Sequence, residues 1–453
     1  MMFRIFEYKY IKELFQLALP IIMGNLGLIL LGAGDCFVAG RYSTEAIASI
    51  SIATSINATV MMLGIGLMFS VSPLLSNKRG AKESTKKYFY PSIKFAVISG
   101  LILMLVTFAY IPLLDLIGLE RQLLYNVKIF TFIVALSSVP AQINVTIKEF
   151  LQSYEIVFIP NILLIISVFF NIFLNYIFVF GMFGLPQMGV AGIAVSTTIV
   201  RTTLSIILLT FCLVNFKFKK YKDSEYYKQI LKIGLPISSA IIIEFLAFNY
   251  IAVLLGKVSG IYAAAHNVIL VLSSTSFMIP MGISNAMAVK VGVANGAKNY
   301  EELIKYIKNG TGVASLFMLL AGIVFAIFPE KLASLFTQDK ELLAVIIPVM
   351  YIVAAFQVTD GLQVSLSGIY KGLKKTKFVM LSNCIGYLII GVTLGFYLGI
   401  VRKMYLTGCW LAISISSVIL CFILMFFLIF ILKRLKKEYA GELYKLHKGE
   451  NLL

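Results

Sequence analysis

Long apolar stretches alternate with short polar connections along almost the whole chain. Each stretch has about 20 or more residues, enough for a helix rising about 1.5 Å per residue to cross a hydrocarbon core of roughly 30 Å. Only helices and closed barrels satisfy the backbone in lipid, and these continuous runs lack the alternation of barrel strands. We therefore predict an all-α, polytopic membrane protein with twelve transmembrane helices, at approximately residues 14–40, 46–76, 89–112, 122–147, 157–181, 189–216, 230–256, 260–290, 309–328, 342–368, 377–400 and 406–432.

The distribution of lysine and arginine predicts how these helices are oriented. Basic residues are concentrated in the even-numbered connections and at both ends of the chain, whereas the odd-numbered connections carry few, and residues 185–187 carry none. Because cytoplasmic segments are enriched in lysine and arginine, we expect both termini of this multi-pass protein in the cytoplasm. The net charge of +18 is then a consequence of topology, which argues against nucleic-acid binding.

An internal repeat relates the two halves of the chain. Leu19-Pro20 recurs as Leu235-Pro236, Gly40 as Gly256, Gly66 as Gly282, Gly80-Ala81-Lys82 as Gly296-Ala297-Lys298 and Gly192 as Gly408. All these pairs share the separation from Leu19 to Leu235, which we call the repeat offset. Six predicted helices, an even number, lie within this offset, so the halves are parallel repeats of the kind found in transporters. We predict an N-terminal six-helix lobe over residues 1–216, a cytoplasmic linker over 217–229, a C-terminal six-helix lobe over 230–432 and a basic cytoplasmic tail over 433–453.

Composition removes several other classes of protein. Of the 453 residues, 60% are hydrophobic and only 13% are charged, far more apolar than a soluble core requires. The five cysteines lie in apolar segments without CxxC spacing, so they indicate neither a disulfide framework nor a metal site. The first apolar run is too long for a signal peptide, and we expect it to be retained. No GxxxxGK[ST] motif is present, which makes an ion gradient the natural energy source, and we expect no cofactor.

Three acidic residues lie inside predicted helices. Asp35 is in the first helix, Glu244 is near the middle of the seventh, and Asp360 is in the tenth. A charged side chain at the centre of a lipid-facing helix costs about 2.5–3.5 kcal/mol, so each acid should face a partner or a watery cavity. Carboxylates in such a cavity suit Na⁺, an organic cation or a proton. Alternatively, Glu244 and Asp360 only lock helices together through hydrogen bonds, and Asp35 lies near the outer end of its helix and reaches the interface.

Other polar residues accompany these acids. Gln357, Asp360, Gln363 and Ser367 follow helical spacing and form one polar stripe. Ser167, Asn171 and Asn175 recur every four residues on the fifth helix and predict a face that meets Asp35, although such residues also stabilise helix packing. His266 is either a hydrogen-bonded interior residue or a participant in transport. Arg201 requires a counter-ion or a wet cavity that the sequence does not identify.

The sequence resembles the multidrug and toxic compound extrusion (MATE) family, and in particular its NorM-like branch. The residues that carry the resemblance are the two Leu-Pro pairs, the segments 34–40, 263–269, 277–285, 291–297 and 360–363, and Gly181 followed by 189–192. Together they cover nearly the whole chain, from about residue 14 to residue 432.

The resemblance implies a two-lobe secondary antiporter of the bacterial inner (plasma) membrane that exports organic, often cationic, compounds and drugs in exchange for Na⁺ or H⁺. Glu244 and Asp360 match the family's cation-binding acids in the C-terminal lobe, which makes them the candidate Na⁺ site. Asp35 matches an acid of the first helix, and Asn171 and Asn175 match the ion or proton network of the first lobe. Position 356, often tyrosine in the NorM-type branch, is Phe356 here, so one possible cation ligand is missing. The three acids together favour Na⁺ over H⁺.

Two alternatives remain open beside this interpretation. A lipid-linked precursor flippase of the same superfamily should carry more cationic residues in its cavity, whereas here the acids outnumber Arg201. A membrane-embedded enzyme should have a sizeable extra-membrane domain, and no connection is long enough for one, so we expect no enzymatic activity. We expect a monomer in contact with membrane lipid.

Overall fold

The computed structural model describes residues 7–219, 221 and 223–447, which form helices joined by short connections, without a β-strand. Positions 220 and 222 of the predicted linker and 448–453 of the predicted tail lie outside the described residues. The helices are α1 (Tyr8–Tyr42), α2 (Thr44–Met68), α3 (Val71–Gly80), α4 (Phe89–Tyr110), α5 (Arg121–Leu136), α6 (Ser138–Ser153), α7 (Phe158–Phe180), α8 (Val190–Asn215), α9 (Ser224–Gly256), α10 (Gly260–Gly296), α11 (Tyr300–Ile327), α12 (Pro329–Ser334), α13 (Lys340–Gly372), α14 (Lys377–Asn383), α15 (Val392–Phe396) and α16 (Tyr405–His447).

The predicted all-α membrane fold is confirmed. Eleven stretches of the described chain are long and apolar enough to cross a membrane, and the bent pair α5 and α6 makes a twelfth. These two helices meet at 49°. Pro140 explains the break, because its ring has no N–H for the carbonyl of Leu136 and clashes with it, so α5 ends there.

The eleventh span contains two π-helical segments. Cys384–Gly391 lies between α14 and α15, and Tyr397–Val401 follows α15. Glycines occur inside both segments, and a Cβ at Gly386 or Gly399 would press on Leu420 or Cys409 of α16. Close packing of this span on α16 therefore depends on small residues.

The chain forms two compact units. The C-unit comprises Met1–Ile22, Ser76–Glu83 and Ser239–Leu453, and the N-unit comprises Met23–Leu75 and Ser84–Ser238. One boundary between the two units falls within α1 after Ile22, and another falls within α9 after Ser238. These boundaries are separated by the repeat offset, and each follows the second residue after a proline. The first part of α1 therefore belongs to the C-unit, and the first part of α9 belongs to the N-unit. The division of the sequence into two lobes after position 216 stays a prediction.

Glycines of the repeat allow this arrangement inside each unit. In the C-unit, a Cβ on Gly282 of α10 would collide with Ile22 of α1. In the N-unit, a Cβ on Gly66 of α2 would collide with Ser238 of α9. Since Gly66 and Gly282, and likewise Ile22 and Ser238, are related by the repeat offset, the glycine repeat seen in the sequence corresponds to a repeated close approach of helices.

Candidate functional site

Two carboxyl groups of the C-unit lie close to each other. Glu244 is on α9 and Asp360 is on α13, and the two side chains interact electrostatically. Asp360 is 4% exposed, and Glu244 is partly buried. Among the residues that the structure describes, no hydrogen bond or ion pair is made by either carboxyl group. Lys371 acts on Glu244 electrostatically but makes no hydrogen bond with it. Because a buried carboxylate without a hydrogen-bond partner is costly, this arrangement can take up a cation or a proton.

The polar side chains of the predicted stripe on α13 have different partners. Gln363 accepts a hydrogen bond at 2.6 Å from the hydroxyl of Tyr387, which lies in the π-helical segment Cys384–Gly391. Tyr387 also interacts electrostatically with both Glu244 and Asp360. Gln357 instead pairs with Ser276 of α10, donating through Nε2 at 2.9 Å. Gln363 is therefore linked to the acids through Tyr387, whereas the partner of Gln357 is a hydroxyl on another helix.

Aromatic rings pack beside these acids within the C-unit. Trp410 of α16 is fully buried, and its ring lies 5.8 Å from that of Phe356 and 6.2 Å from that of Phe248. His266 of α10 lies 5.7 Å from Trp410, and its Nε2 is 3.3 Å from the carbonyl oxygen of Phe248. His266 Nδ1 and Trp410 Nε1 find no partner among the described residues. The faces of such rings attract organic cations, and the carboxyl oxygens suit a hard cation such as Na⁺.

A second polar cluster lies in the N-unit, around Asp35 of α1. Asn175 of α7 donates from Nδ2 to Asp35 Oδ1 at 2.7 Å and to Asn171 Oδ1 at 3.1 Å. All three side chains are at most 6% exposed. The structure therefore brings together the residues predicted to meet there. Ser167 does not join the cluster, because its hydroxyl donates to the carbonyl oxygen of Leu164.

Arg201 of α8 belongs to the same unit. Its Nη1 donates to Ser137 Oγ at 2.9 Å, at the break between α5 and α6. The guanidinium interacts electrostatically with Asp35, and Thr197, one helical turn earlier, also interacts with that acid. The partners that the sequence left unidentified are thus a serine hydroxyl and, at longer range, Asp35.

Sequence reasoning missed four residues of these clusters: Tyr387, Trp410, Thr197 and Ser137. The serine and threonine carry no charge and resemble ordinary packing residues of membrane helices. The sequence did contain one signal for Tyr387: the repeat offset relates it to Asn171, which was a predicted site residue. Groups of three or more histidine, cysteine, aspartate or glutamate side chains able to hold a metal ion are absent from the part of the chain that was described.

Comparison with known proteins agrees with this geometry. The MatE family model matches residues 20–177 and again 236–397, together more than half of the chain. The starts of the two matches, Pro20 and Pro236, are separated by the repeat offset, as the internal repeat predicts.

Relatives and solved structures cover nearly the whole chain. Proteins called "Probable multidrug resistance protein NorM" include one from Mesorhizobium japonicum, 26% identical over 89% of this chain and 90% of its own length. Another, from Acinetobacter baylyi, is 27% identical over 92% of this chain and 95% of its own length. A structure described as the eukaryotic MATE transporter AtDTX14 is 19% identical, with a TM-score of 0.84, covering 96% of this chain and 99% of its own. A transporter of the MOP superfamily from Pyrococcus furiosus, 17% identical, has a TM-score of 0.87 over 94% of this chain and 97% of its own.

Proposed function

We infer the function from one premise: the chain belongs to the MatE family. It is a membrane transporter and not an enzyme, and its NorM relatives are named for multidrug resistance. We propose that it is a secondary active multidrug efflux antiporter. In this proposal it exports organic, often cationic, compounds in exchange for Na⁺ or H⁺, through alternating access of its two lobes, with both termini in the cytoplasm.

The pair of Glu244 and Asp360 carries this proposal. Two acids that share one buried region, interact with each other and lack hydrogen-bond partners in the described chain form a cation site that is incomplete without a ligand. An organic cation and the coupling ion would both bind to the same negative charge, so binding of one disfavours binding of the other. That competition couples export to entry of the ion.

The N-unit cluster has a supporting role in the proposal. Asp35 accepts a hydrogen bond from Asn175, and Arg201 lies within electrostatic range, so this acid is partly compensated by protein groups. We propose that Na⁺ binds at Glu244 and Asp360, and that Asp35 becomes the leading residue if the coupling ion is H⁺.

Efflux from proteoliposomes tests the proposal. Vesicles that contain the full chain are loaded with a fluorescent organic cation and given a pulse of Na⁺ at constant pH or a pH step without Na⁺. Asp360→Asn removes one acid of the pair, and Asp115→Asn, an exposed aspartate paired with Lys128, is the matched control.

Efflux that starts with the Na⁺ pulse, is lost in Asp360→Asn and persists in Asp115→Asn would support Na⁺ coupling in the C-unit. Efflux that follows only the pH step would assign H⁺ as the coupling ion. Absence of efflux under both gradients would contradict the proposal and favour a lipid-linked precursor flippase.

A further inference from the structure

Arg201 has a cationic side chain inside a membrane-spanning helix without a paired acid. Its guanidinium has five N–H donors, and the one hydrogen bond it makes with the described chain goes to Ser137 Oγ. No ion pair with a carboxylate is formed by Arg201 in the described ranges 7–219, 221 and 223–447. Arg201 is only partly buried, and because a charge within the bilayer is expensive, free and accessible donors on its guanidinium indicate a site for an anion.

The start of α6 lies at the same place. Ser137 precedes this sixteen-residue helix, and its side chain donates to Val134 instead of capping the helix. The first N–H groups of a helix have no acceptor within it and carry partial positive charge. In α6 only Ser138 and Val139 can supply such groups, because Pro140 has no N–H and Ala141 donates to the carbonyl oxygen of Ser137. Ser138, the first residue of α6, is fully buried, and its hydroxyl has no partner in the described chain. Helix starts at breaks inside spans are known to face anionic groups of substrates.

The acid of the N-unit does not occupy these donors. Asp35 already accepts a hydrogen bond from Asn175, and it acts on Arg201 only through longer-range electrostatics. Gln142, one turn into α6, is also fully buried, and both its polar atoms lack partners among the described residues. Gln142 packs against Gly64 of α2, so the donors that remain open to a ligand are those of Arg201.

The C-unit has no equivalent of this arrangement. The repeat offset relates Ser137, Pro140 and Arg201 to Val353, Phe356 and Ser417. Helix α13 continues unbroken through the first two of these positions, and the C-unit instead holds two acids. The repeats thus share their glycine packing but differ in the charge of their interiors.

We propose that Arg201, Ser137 and the start of α6 form a subsite in the N-unit that binds the carboxylate of an organic compound. The planar fork of a guanidinium matches a carboxylate with two parallel hydrogen bonds. The proposal rests on the proposed export function only for the statement that this compound is a transported solute.

A pair of matched dyes tests the subsite by equilibrium binding to the purified full chain. Rhodamine B carries a carboxylate on its cationic ring system, and its ethyl ester keeps the rings and the positive charge without that carboxylate. Fluorescence polarisation gives the affinity of each dye for the wild-type chain, for Arg201→Gln and for Arg434→Gln. Arg434 is the matched control, since its side chain is 82% exposed and pairs with Glu438.

We expect Arg201→Gln to weaken binding of the free acid by about tenfold or more, as for loss of a charge-assisted hydrogen bond, and to leave ester binding within about twofold. Arg434→Gln should change neither dye. An equal loss of affinity for both dyes, no loss for either, or failure of the wild-type chain to bind the free acid would overturn the proposal. Binding of the acid that depends on Arg201, together with absent binding of the ester, would contradict only the proposed export of cations.

Ser137→Ala keeps the test decisive if Arg201→Gln does not fold. This variant retains the guanidinium but removes the hydroxyl that orients it. We expect affinity for the acid to fall several-fold relative to the ester. An unchanged ratio between the two affinities would overturn the role of Ser137 and Arg201 together.

Discussion

Substitution Tyr387→Phe removes one buried hydroxyl beside the two acids of the C-unit and preserves the ring. The hydroxyl donates to Gln363 Oε1 at 2.6 Å, and the side chain is 1% exposed, so water cannot replace the bond. A buried polar group left without its partner costs about 1–3 kcal/mol, and the free energy of unfolding should fall by that amount. Tyr387 also interacts with Glu244 and Asp360. Since an ordinary hydrogen bond is worth about 0.5–1.5 kcal/mol, loss of this contact beside the acids should raise the half-saturating concentration of the coupling ion about two- to tenfold.

Tyr370→Phe is the matched control for this change. Tyr370 lies in the same unit, is fully buried and donates at 2.6 Å to the backbone carbonyl oxygen of Leu424. Both variants should therefore lose similar stability in thermal unfolding. Only Tyr387→Phe should shift the ion dependence of efflux, measured in proteoliposomes over a range of Na⁺ concentrations at constant pH, or over a range of pH if H⁺ is the ion. Equal shifts in both variants, or none in Tyr387→Phe, would refute the reasoning.

Two further sets of variants probe the N-unit cluster and the close helix contact at Gly80. Asn175→Ala removes the hydrogen-bond donor to Asp35 and should slow efflux about tenfold. If the two residues act together, the double variant Asn175→Ala with Asp35→Asn should be no slower than Asp35→Asn alone. Slowing in the double variant equal to the product of the two single effects would argue against a shared role. Gly80→Ala pushes a Cβ onto the carbonyl oxygen of Val293 and should cost about 1–3 kcal/mol in thermal unfolding. Gly32→Ala lies inside α1 and meets nothing within 4 Å, and alanine is the better helix former, so the unfolding midpoint should not fall. Equal midpoints for both glycine variants would contradict this account.

The fold could be predicted because its signals are local and repeated. Apolar length identified the spans, and the constant repeat offset identified two repeats in one direction. The same offset extends to backbone detail, since Lys82 and Lys298 both adopt positive φ, 60° and 55°, just after α3 and α10 end. Proline alone does not fix where a helix breaks: Pro20, Pro140 and Pro236 could each kink or begin a helix, but Pro20 and Pro236 lie within continuous helices whereas Pro140 lies in the first turn of a new one.

The candidate site could be predicted only in part. Helical spacing placed Asn171 and Asn175 on one face, and the structure brings Asp35 to that face. The partners of Arg201 and Gln363 come from other helices, 64 and 24 residues away along the chain, and no periodicity links positions on separate helices. Which side chains complete a cluster therefore depends on packing between spans, which the sequence pattern does not encode locally.

Competition between ions and an organic cation tests the central claim most directly. The purified full chain is equilibrated with a fluorescent organic cation, and its displacement is followed as Na⁺ is added at constant pH and as pH is lowered without Na⁺. If Glu244 and Asp360 form the shared cation site, one of the two ions should displace the dye from the wild-type chain, and Glu244→Gln and Asp360→Asn should each weaken both dye binding and displacement. Unchanged dye affinity and unchanged displacement in both variants would contradict the account.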